Sequence, residues 1–305
     1  MDITVVGAGV IGLTTALVLE ELGHAVRIVA TATGEATTSA VAGAVWFPYR
    51  VGPPDRVALW AATTRAWLER HAGDTSAGID VLDGFEITTE PQELAGRVPN
   101  RPWWATHIDV TRVAAPVADA PAAWRFTAPR VEPALFLPWL TSRLRARVEQ
   151  RTVTELAAEP GDLVVNCAGL GARALTRDVE LVPLFGQIAV TTVGAVDLRT
   201  TITDHRDPDS IFYVIPRRDE LVLGGCSIPV SSMRPVDDTI TARILAQAAA
   251  LGLPIGSVTR TRTGLRPYRN AVRLEREGRV IHNYGHGGAG FTLCFGCAEE
   301  VAKLV

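Results

Sequence analysis

Short, mostly apolar runs alternate with longer amphipathic stretches along this chain. The runs Ile3–Val6 and Ala25–Ala30 are rich in β-branched residues, which is typical of strands buried in a parallel sheet. Between them, Leu13–Leu22 has a helical pattern, and Gly23 is suited to end that helix. The start of the chain therefore predicts a β–α–β unit.

The same pattern continues further along the chain. It predicts two more buried strands, at 162–167 and 279–283. It also predicts four more helices, at 56–72, 133–149, 237–251 and 291–305. Segments 78–130 and 186–226 carry shorter strand patterns broken by turn residues.

The fold predicted from this order is α/β. A Rossmann-like nucleotide-binding domain is assembled from separated segments, and an inserted α+β domain is dominated by an antiparallel or mixed sheet. The segments expected in the nucleotide-binding domain are 1–50, 131–185 and 270–305. The segments expected in the inserted, substrate-binding domain are 51–130 and 186–269.

Composition narrows the class of protein. The 305 residues are 47% hydrophobic, enough for a large core in two domains. A net charge of −3 offers no basic surface for nucleic acid. No apolar run approaches the ~18 residues of a membrane span, and strand-like sequence at Ile3 leaves no room for a signal peptide. We expect a cytoplasmic protein without a membrane or nucleic-acid partner.

A glycine-rich turn joins the first predicted strand to the first helix. In this context Gly7 permits the tight turn, Gly9 lets the main chain approach a pyrophosphate, and Gly12 lets helix and strand pack closely. The helix start then offers free N–H groups to the phosphates. The residues predicted to bind a dinucleotide here are Gly7, Gly9, Val10, Ile11 and Gly12.

The turn alone does not separate NAD from FAD. The acidic residue that normally binds the ribose should follow the second strand near Ala30, but Thr31 stands there and the first acid is Glu35. We expect Thr31 to hydrogen-bond the ribose more weakly than a carboxylate would. This departure disfavours a tight NAD site.

Four further segments carry a resemblance. They are Thr37–Trp46, Tyr213–Pro216, Thr263–Glu275, which includes Gly264-Leu265-Arg266-Pro267, and the run His282-Asn283-Tyr284-Gly285-His286-Gly287-Gly288 with its continuation to Ala298. Together with the N-terminal turn they closely resemble the D-amino acid oxidase family over nearly the whole chain. The resemblance is closer to D-amino acid oxidase than to D-aspartate oxidase or glycine oxidase.

The resemblance implies noncovalent FAD and oxidation of a D-amino acid to an imino acid, with O₂ reduced to H₂O₂. In the family, hydride passes from the substrate Cα to flavin N5 without a protein acid or base. Arg266 is then expected to hold the substrate carboxylate through paired N–H···O bonds. The hydroxyl of Tyr213 is expected to reach the same carboxylate, and the carbonyl of Gly288 is expected to accept from the amine. The partners are a small D-amino acid and O₂, and a homodimer is left open.

The resemblance also implies cofactor contacts beyond the glycine turn. The loop from Thr37 to Val45 is expected beside the isoalloxazine ring, the helix start at Thr292 at the flavin N1/O2 edge, and the end of the third strand near the adenine. These expected contacts are Thr37, Thr38, Ser39, Gly43, Ala44, Val45, Val165, Gly169, Arg266, Gly287, Gly290, Phe291 and Thr292.

Several alternatives remain open. His282 and His286 with Cys294 and Cys297 have the spacing of a zinc site, but the resemblance accounts for all four without metal. Buried structural thiols are favoured over a redox dithiol for the Cys-x-x-Cys pair. The enzyme could oxidise another amine, such as glycine, sarcosine or D-proline, or be a flavin-bound sensor without turnover.

Substrate preference is a separate question. D-Aspartate oxidases need added polar groups to bind a second carboxylate, and the corresponding positions here are Phe47 and Ser227. An unpaired carboxylate is disfavoured in an apolar pocket. We therefore expect neutral or apolar D-amino acids to be preferred over D-aspartate, unless Arg217 or Arg218 points into the pocket.

Overall fold

The computed structural model describes residues 1–88, 102–193, 199–207 and 211–305. The chain divides into two compact units. The first comprises Met1–Asp80, Val131–Pro183 and Arg266–Val305. The second comprises Val81–Arg130 and Leu184–Leu265. Residues 89–101, within the segment predicted to be β-rich, lie outside the described residues.

The described strands and helices follow one another along the whole chain. The strands are β1 (Asp2–Val6), β2 (Ala25–Ala30), β3 (Ile79–Thr88), β4 (Thr111–Val113), β5 (Ala122–Val131), β6 (Val148–Gln150), β7 (Leu163–Asn166), β8 (Val182–Thr192), β9 (Thr200–Asp204), β10 (Phe212–Pro216), β11 (Glu220–Gly224), β12 (Ile228–Pro229), β13 (Val258–Glu277) and β14 (Val280–His286). The α-helices are α1 (Val10–Glu21), α2 (Pro54–Arg70), α3 (Pro133–Arg143), α4 (Ala172–Thr176), α5 (Asp238–Ala250) and α6 (Gly290–Leu304).

The first unit contains a sheet in the order β13-β14-β7-β1-β2-β6. All neighbours in it are parallel except β13 and β14. The apolar residues of β1 and β7 are fully buried, as expected for strands covered on both faces. The carboxyl ends of β1, β7 and β14 therefore meet at one edge of the sheet, where nucleotide sites form in folds of this class.

The second unit contains a mixed sheet in the order β4-β5-β3-β9-β10-β11-β8, with β12 beside β8. The pair β3–β9 is parallel, and the pairs from β9 to β8 are antiparallel. Helix α5 begins where the Asp237 side chain accepts from the Thr239 N–H (2.9 Å). Its apolar side chains pack on those of β8, β10 and β11 to form the core of this unit. The predicted fold class is confirmed.

One predicted helix is too long. The pattern predicted helix over 133–149, but α3 ends at Arg143, and Val148–Gln150 form β6 beside β2. The buried carboxylate of Glu20 accepts from the N–H groups of Arg145 (2.8 Å) and Ala146 (2.7 Å). These long-range bonds hold the chain in a turn, an interaction that local helical periodicity does not reveal.

The unit boundaries differ from the predicted domains at three places. Residues 51–80 and 266–269 belong to the first unit, although the sequence pattern grouped them with the inserted domain. Residues 184–185, predicted in the nucleotide-binding domain, belong to the second unit. Helix α2 packs tightly on α6 in this first unit. The main chains approach so closely that a methyl group placed on Gly296 would lie 2.3 Å from the Trp60 carbonyl oxygen. Both Arg56 and the Trp60 indole N–H also donate to Glu300.

All four cysteines are free and buried. Burial raises the pKa of Cys294 to about 12 and raises that of Cys297 well above its usual range. The prediction of buried thiols at these two positions is therefore confirmed. The described part of the chain contains no group of three or more side chains suited to hold a metal ion. None of the helices described here has the length and hydropathy of a membrane span.

Candidate functional site

The glycine turn after β1 leaves no room for a side chain at positions 7 and 12. Gly7 has a φ of +118°, and a methyl group placed on it would lie 2.3 Å from the Cys167 carbonyl oxygen. A methyl group on Gly12 would lie 1.9 Å from the Gly7 carbonyl oxygen. Both positions therefore require glycine, Gly7 for conformation and space and Gly12 for space alone. The turn brings the start of α1 against the end of β1, as predicted.

The two glycine clusters, far apart in sequence, meet in the first unit. A methyl group on Gly290, at the start of α6, would lie 3.4 Å from Cγ1 of Val10, at the start of α1. The helices stay in contact further along, where the Thr14 hydroxyl donates to the Cys294 carbonyl (3.3 Å). The two helix N-termini therefore lie side by side, and their partial positive charges favour an anionic or electron-rich ligand there.

The loop that follows β2 is bonded to both helix starts. The Ser39 hydroxyl accepts from the Val10 N–H (2.9 Å) at the start of α1. At the start of α6 the buried Thr292 hydroxyl accepts from the Phe47 N–H (3.1 Å) and donates to the Phe47 carbonyl (3.0 Å). The stretch between Ser39 and Phe47, with Gly43, Ala44 and Val45, is thereby held along the edge where the cofactor is expected.

These bonds change the expectation for Thr292. Its hydroxyl is taken up by Phe47, and its N–H donates to the Ala289 carbonyl (3.0 Å). The main chain at Gly290 and Phe291, in the first turn of α6, is the better candidate to stabilise negative charge on a bound ring. The Thr37 hydroxyl also donates within the loop, to the Gly34 carbonyl (2.8 Å).

Two of the three predicted substrate-binding residues come together. Gly288 is exposed, and a methyl group placed on it would lie 3.5 Å from Cδ and 3.6 Å from Nε of Arg266. The same methyl group would lie 3.2 Å from Cδ1 of Tyr49. Tyr213 belongs to the second unit, on β10, and its contact with substrate stays a prediction.

Tyr49 is a residue that sequence reasoning missed. It ends the Trp46-Phe47-Pro48-Tyr49 stretch that follows the predicted flavin loop, and the signal was its position directly after that loop. The tether between Phe47 and Thr292 brings this stretch to the start of α6. Tyr49 therefore joins Arg266 and Gly288 as a candidate wall of the substrate site.

The ribose end of the site contains polar groups that were not predicted. The Thr31 hydroxyl lies 3.4 Å from that of Thr152, and the Gln150 amide donates to the Thr31 carbonyl (3.4 Å). Gln150 ends β6, the strand that the sequence pattern had placed in a helix. Gln150 and Thr152 are therefore candidates to supplement the hydroxyl of Thr31 where the usual acid is missing.

The adenine end needs a correction. Val165 has no exposed surface and lies inside β7, paired with Val5 on one side and Ile281 on the other. It therefore has no face for a cofactor, and its assignment from the resemblance is not supported. Gly169 is partly exposed with a φ of +55°, and a methyl group there would meet nothing within 4 Å. Gly169 remains the candidate.

Two further arginines on β13 are structural. Arg269 donates to the Asp178 carboxylate (3.0 Å), and Arg273 donates to the Tyr284 hydroxyl (3.0 Å), which itself donates to Asp178 (2.9 Å). Burial opposes ionisation of Asp178, but the hydrogen bonds from Tyr284, from the Glu180 N–H and from Arg269 outweigh it and lower its pKa. This network ties β13 and β14 to the segment that follows β7.

His286 ends β14, directly before Gly287 and Gly288. Its side chain is 3% exposed, and within the described chain its Nε2 has no hydrogen-bond partner. Burial lowers the pKa of His286 to about 3, so the ring is neutral near pH 7. An unpaired buried nitrogen costs about 1–3 kcal/mol. It is a polar group that a ligand bound at this edge could satisfy.

The neutral state of His286 predicts an acid-sensitive fold. Its pKa in the folded protein, about 3, lies below the ordinary value of 6.5, so the unfolded chain binds more protons as pH falls. Above pH 6.5 this histidine does not change the free energy of unfolding. Below pH 6.5 it lowers the free energy of unfolding progressively, by about 2 kcal/mol at pH 5. We expect the thermal unfolding temperature of wild type to fall across this range, and that of His286→Gln to fall less steeply.

The control for this experiment is His107→Gln, because His107 is exposed. The pKa of His282 is also lowered, by burial and by the charge of Arg273. The difference in slope between wild type and His286→Gln isolates His286 from that second histidine. Equal slopes in the two proteins would contradict the neutral, buried state of the ring.

A parallel sheet with a glycine turn after β1 and two adjoining helix starts suits a dinucleotide cofactor. The chain belongs to the DAO family, FAD dependent oxidoreductase, whose model matches residues 2–304. It is 39% identical to the D-amino-acid oxidase of Rubrobacter xylanophilus, over 98% of this chain and 94% of that protein. It is 38% identical to the D-amino-acid oxidase of Streptomyces coelicolor, over 99% of this chain and 96% of that protein. The resemblance drawn from the sequence is confirmed.

Solved structures show the same fold. Glycine oxidase from Geobacillus kaustophilus superposes with a TM-score of 0.80, covering 99% of this chain and 94% of that one at 21% identity. The family is FAD-dependent, and the residues here fit that cofactor. A turn that requires glycine at positions 7 and 12, two adjoining helix starts and a loop bonded to both are suited to a pyrophosphate and a flavin ring.

Proposed function

We propose that this enzyme oxidises neutral D-amino acids to imino acids, with FAD as cofactor and O₂ as electron acceptor. The observation that carries the proposal is the placement of Arg266 beside the exposed Gly288, next to the start of α6. The curated relatives at 38–39% identity, both named D-amino-acid oxidase, support the substrate class.

The chain's part in the reaction is binding and orientation. The Arg266 guanidinium holds the α-carboxylate through two parallel hydrogen bonds. The Gly288 carbonyl accepts from the α-amine, and the lack of a side chain there lets the substrate approach the main chain. Tyr49 closes the site on the side of the loop that is bonded to α6.

Bound flavin supplies the two-electron acceptor. The protein contributes the helix starts of α1 and α6, whose dipoles favour negative charge on the cofactor. No residue is assigned as a general acid or base. Orienting the reactive Cα–H bond is then the main catalytic contribution, and orientation of this kind can supply several kcal/mol.

A neutral side chain is favoured because Arg217, one of the two candidate cations, is paired with Glu220. Arg217 is 9% exposed, and its guanidinium contacts the Glu220 carboxylate (3.2 Å). The main-chain N–H of Arg217 also donates to the main-chain carbonyl of Glu220 (2.7 Å). Phe47 is apolar and buried. A second substrate carboxylate would therefore lose water without gaining a matched partner.

A substrate panel tests this proposal. Purified protein with its flavin is mixed anaerobically with D-alanine, D-valine, D-phenylalanine, D-proline, D-aspartate, glycine and sarcosine, and flavin bleaching is followed by absorbance. Air is then admitted and H₂O₂ is measured. We expect rapid bleaching and peroxide with the neutral D-amino acids, and a kcat/KM for D-aspartate lower by roughly 100-fold or more.

Other outcomes point to other functions. A preference for glycine or sarcosine would indicate an oxidase of small amines, and a preference for D-aspartate would indicate a D-aspartate oxidase. Bleaching without peroxide would indicate a dehydrogenase with a different acceptor. No bleaching by any compound of the panel would leave a flavin-binding sensor. Cytoplasmic location and a homodimer stay predictions from the sequence.

A further inference from the structure

Tyr213 and Gly224 form a cross-strand pair in the second unit. They face each other in the antiparallel register of β10 and β11. A methyl group placed on Gly224 would lie 1.9 Å from Cζ of Tyr213, 2.2 Å from its hydroxyl oxygen and 2.4 Å from Cε2. The outer end of the phenol ring therefore occupies the space that any side chain at position 224 would take.

Glycine at position 224 is required by space and not by conformation. The φ angle of Gly224 is not positive, so its backbone has a conformation that other residues adopt readily. Glycine inside a strand weakens the strand unless something else uses the gap. Here the aromatic ring uses it, and the gap in turn fixes where the ring lies.

The strand that carries Gly224 is paired on both sides, with β10 at Tyr213 and with β8 at Ile188. A methyl group on the next residue, Gly225, would lie 2.6 Å from the Ile211 carbonyl oxygen and 3.3 Å from the Ile244 side chain. The Gly225 carbonyl also accepts from the Arg243 guanidinium of α5 (2.5 Å). The main chain at 224–225 is thus held on both sides, and the Tyr213 ring is what must yield.

We infer that Gly224 is a positioning residue for the Tyr213 hydroxyl, and so a determinant of carboxylate binding at a distance from the substrate. The functional half of this inference, that the Tyr213 hydroxyl binds the substrate carboxylate, rests on the proposed function, because Tyr213 acts on substrate only if this is a D-amino acid oxidase. The steric half, that Gly224 fixes the position of the Tyr213 ring, does not depend on the proposed function. A side chain at 224 drives the phenol off its position, and the hydroxyl is displaced with it.

A double-mutant cycle on stability tests the steric half. Thermal unfolding is measured for wild type, Gly224→Ala, Tyr213→Ala and the double variant. We expect Gly224→Ala to lower the unfolding temperature by several degrees when the ring is present and to leave it unchanged or higher when the ring is absent. The same decrease in both backgrounds would overturn the inference, because glycine would then serve something other than Tyr213.

Steady-state kinetics with D-alanine test the functional half. We expect Tyr213→Phe and Gly224→Ala each to raise KM by roughly 10-fold, with kcat changed less. Combining the two should raise KM little further, because the hydroxyl contact is already lost. A normal KM in Gly224→Ala beside a raised KM in Tyr213→Phe would overturn the inference.

The two failures can be told apart. A normal KM in Tyr213→Phe would remove Tyr213 from the proposed function and end the functional half of the inference with it. The unfolding temperatures would still decide the steric half. If Gly224→Ala does not fold, Tyr213→Ala/Gly224→Ala keeps the test open, because restored folding in the double variant would itself support the steric conflict.

Discussion

We expect replacement of Arg266 by alanine to raise the KM for a neutral D-amino acid by roughly 100-fold or more, because the two proposed charge-assisted hydrogen bonds to the substrate carboxylate would be lost together. Arg266 lies beside Gly288, at the edge where the cofactor is expected. With the clamp gone, the Cα–H bond is also less well oriented, so kcat falls as well. Steady-state kinetics with D-alanine, on protein whose flavin content is first checked by absorbance, measure both effects.

Two further variants sharpen this result. Arg266→Lys keeps the charge but loses the planar pair of donors, so its KM should lie between those of wild type and Arg266→Ala. Arg276→Ala is the matched control, because Arg276 is an exposed arginine of the same strand that donates to the Gly278 and Leu304 carbonyls. A KM for Arg266→Ala within about twofold of the control would remove the assigned carboxylate clamp.

We expect replacement of Gly12 by alanine to weaken flavin binding by at least about tenfold and to destabilise the first unit by about 1–3 kcal/mol. The added methyl group would lie 1.9 Å from the Gly7 carbonyl oxygen, so the turn between β1 and α1 has to open. The N–H groups at the start of α1 then lose their alignment toward the pyrophosphate. Flavin release during dialysis and the thermal unfolding temperature report the two effects.

Gly171→Ala is a matched control for this substitution. Gly171 has a φ of −60°, and a methyl group there would make only an ordinary contact of 3.5 Å with Ala168. We expect it to keep its flavin and its unfolding temperature. Full flavin retention by Gly12→Ala would show that the turn tolerates a side chain and that the packing argument fails.

Much of the fold could be predicted because its determinants are local. The apolar runs of β1, β2 and β7 and the spacing of α1 and α6 follow from burial and period alone. The helix predicted over 133–149 was too long because Glu20, more than 100 residues away, sets the turn after α3. A contact of that separation leaves no mark on local periodicity.

The candidate site was partly predictable for the same reason. The glycine turn has a fixed spacing, and the resemblance carried by Thr263–Glu275 and by the run from His282 onward implied Arg266 and Gly288. The engagement of the Thr292 hydroxyl by Phe47 depends on how a loop folds back. So does the approach of Tyr49 to Gly288. Neither of these two contacts leaves a periodic pattern in the sequence, so they are seen only in the folded structure.

The burial of every cysteine has a consequence for an enzyme that would generate an oxidant with each turnover. Thiolates, not thiols, react with peroxide, and a raised pKa keeps Cys167, Cys294 and Cys297 protonated at neutral pH. The sulfur that the chain does expose belongs to Met1 and Met233. Oxidation of the protein by its own product would therefore accumulate first as methionine sulfoxide at the surface, where it leaves the packing around α6 intact.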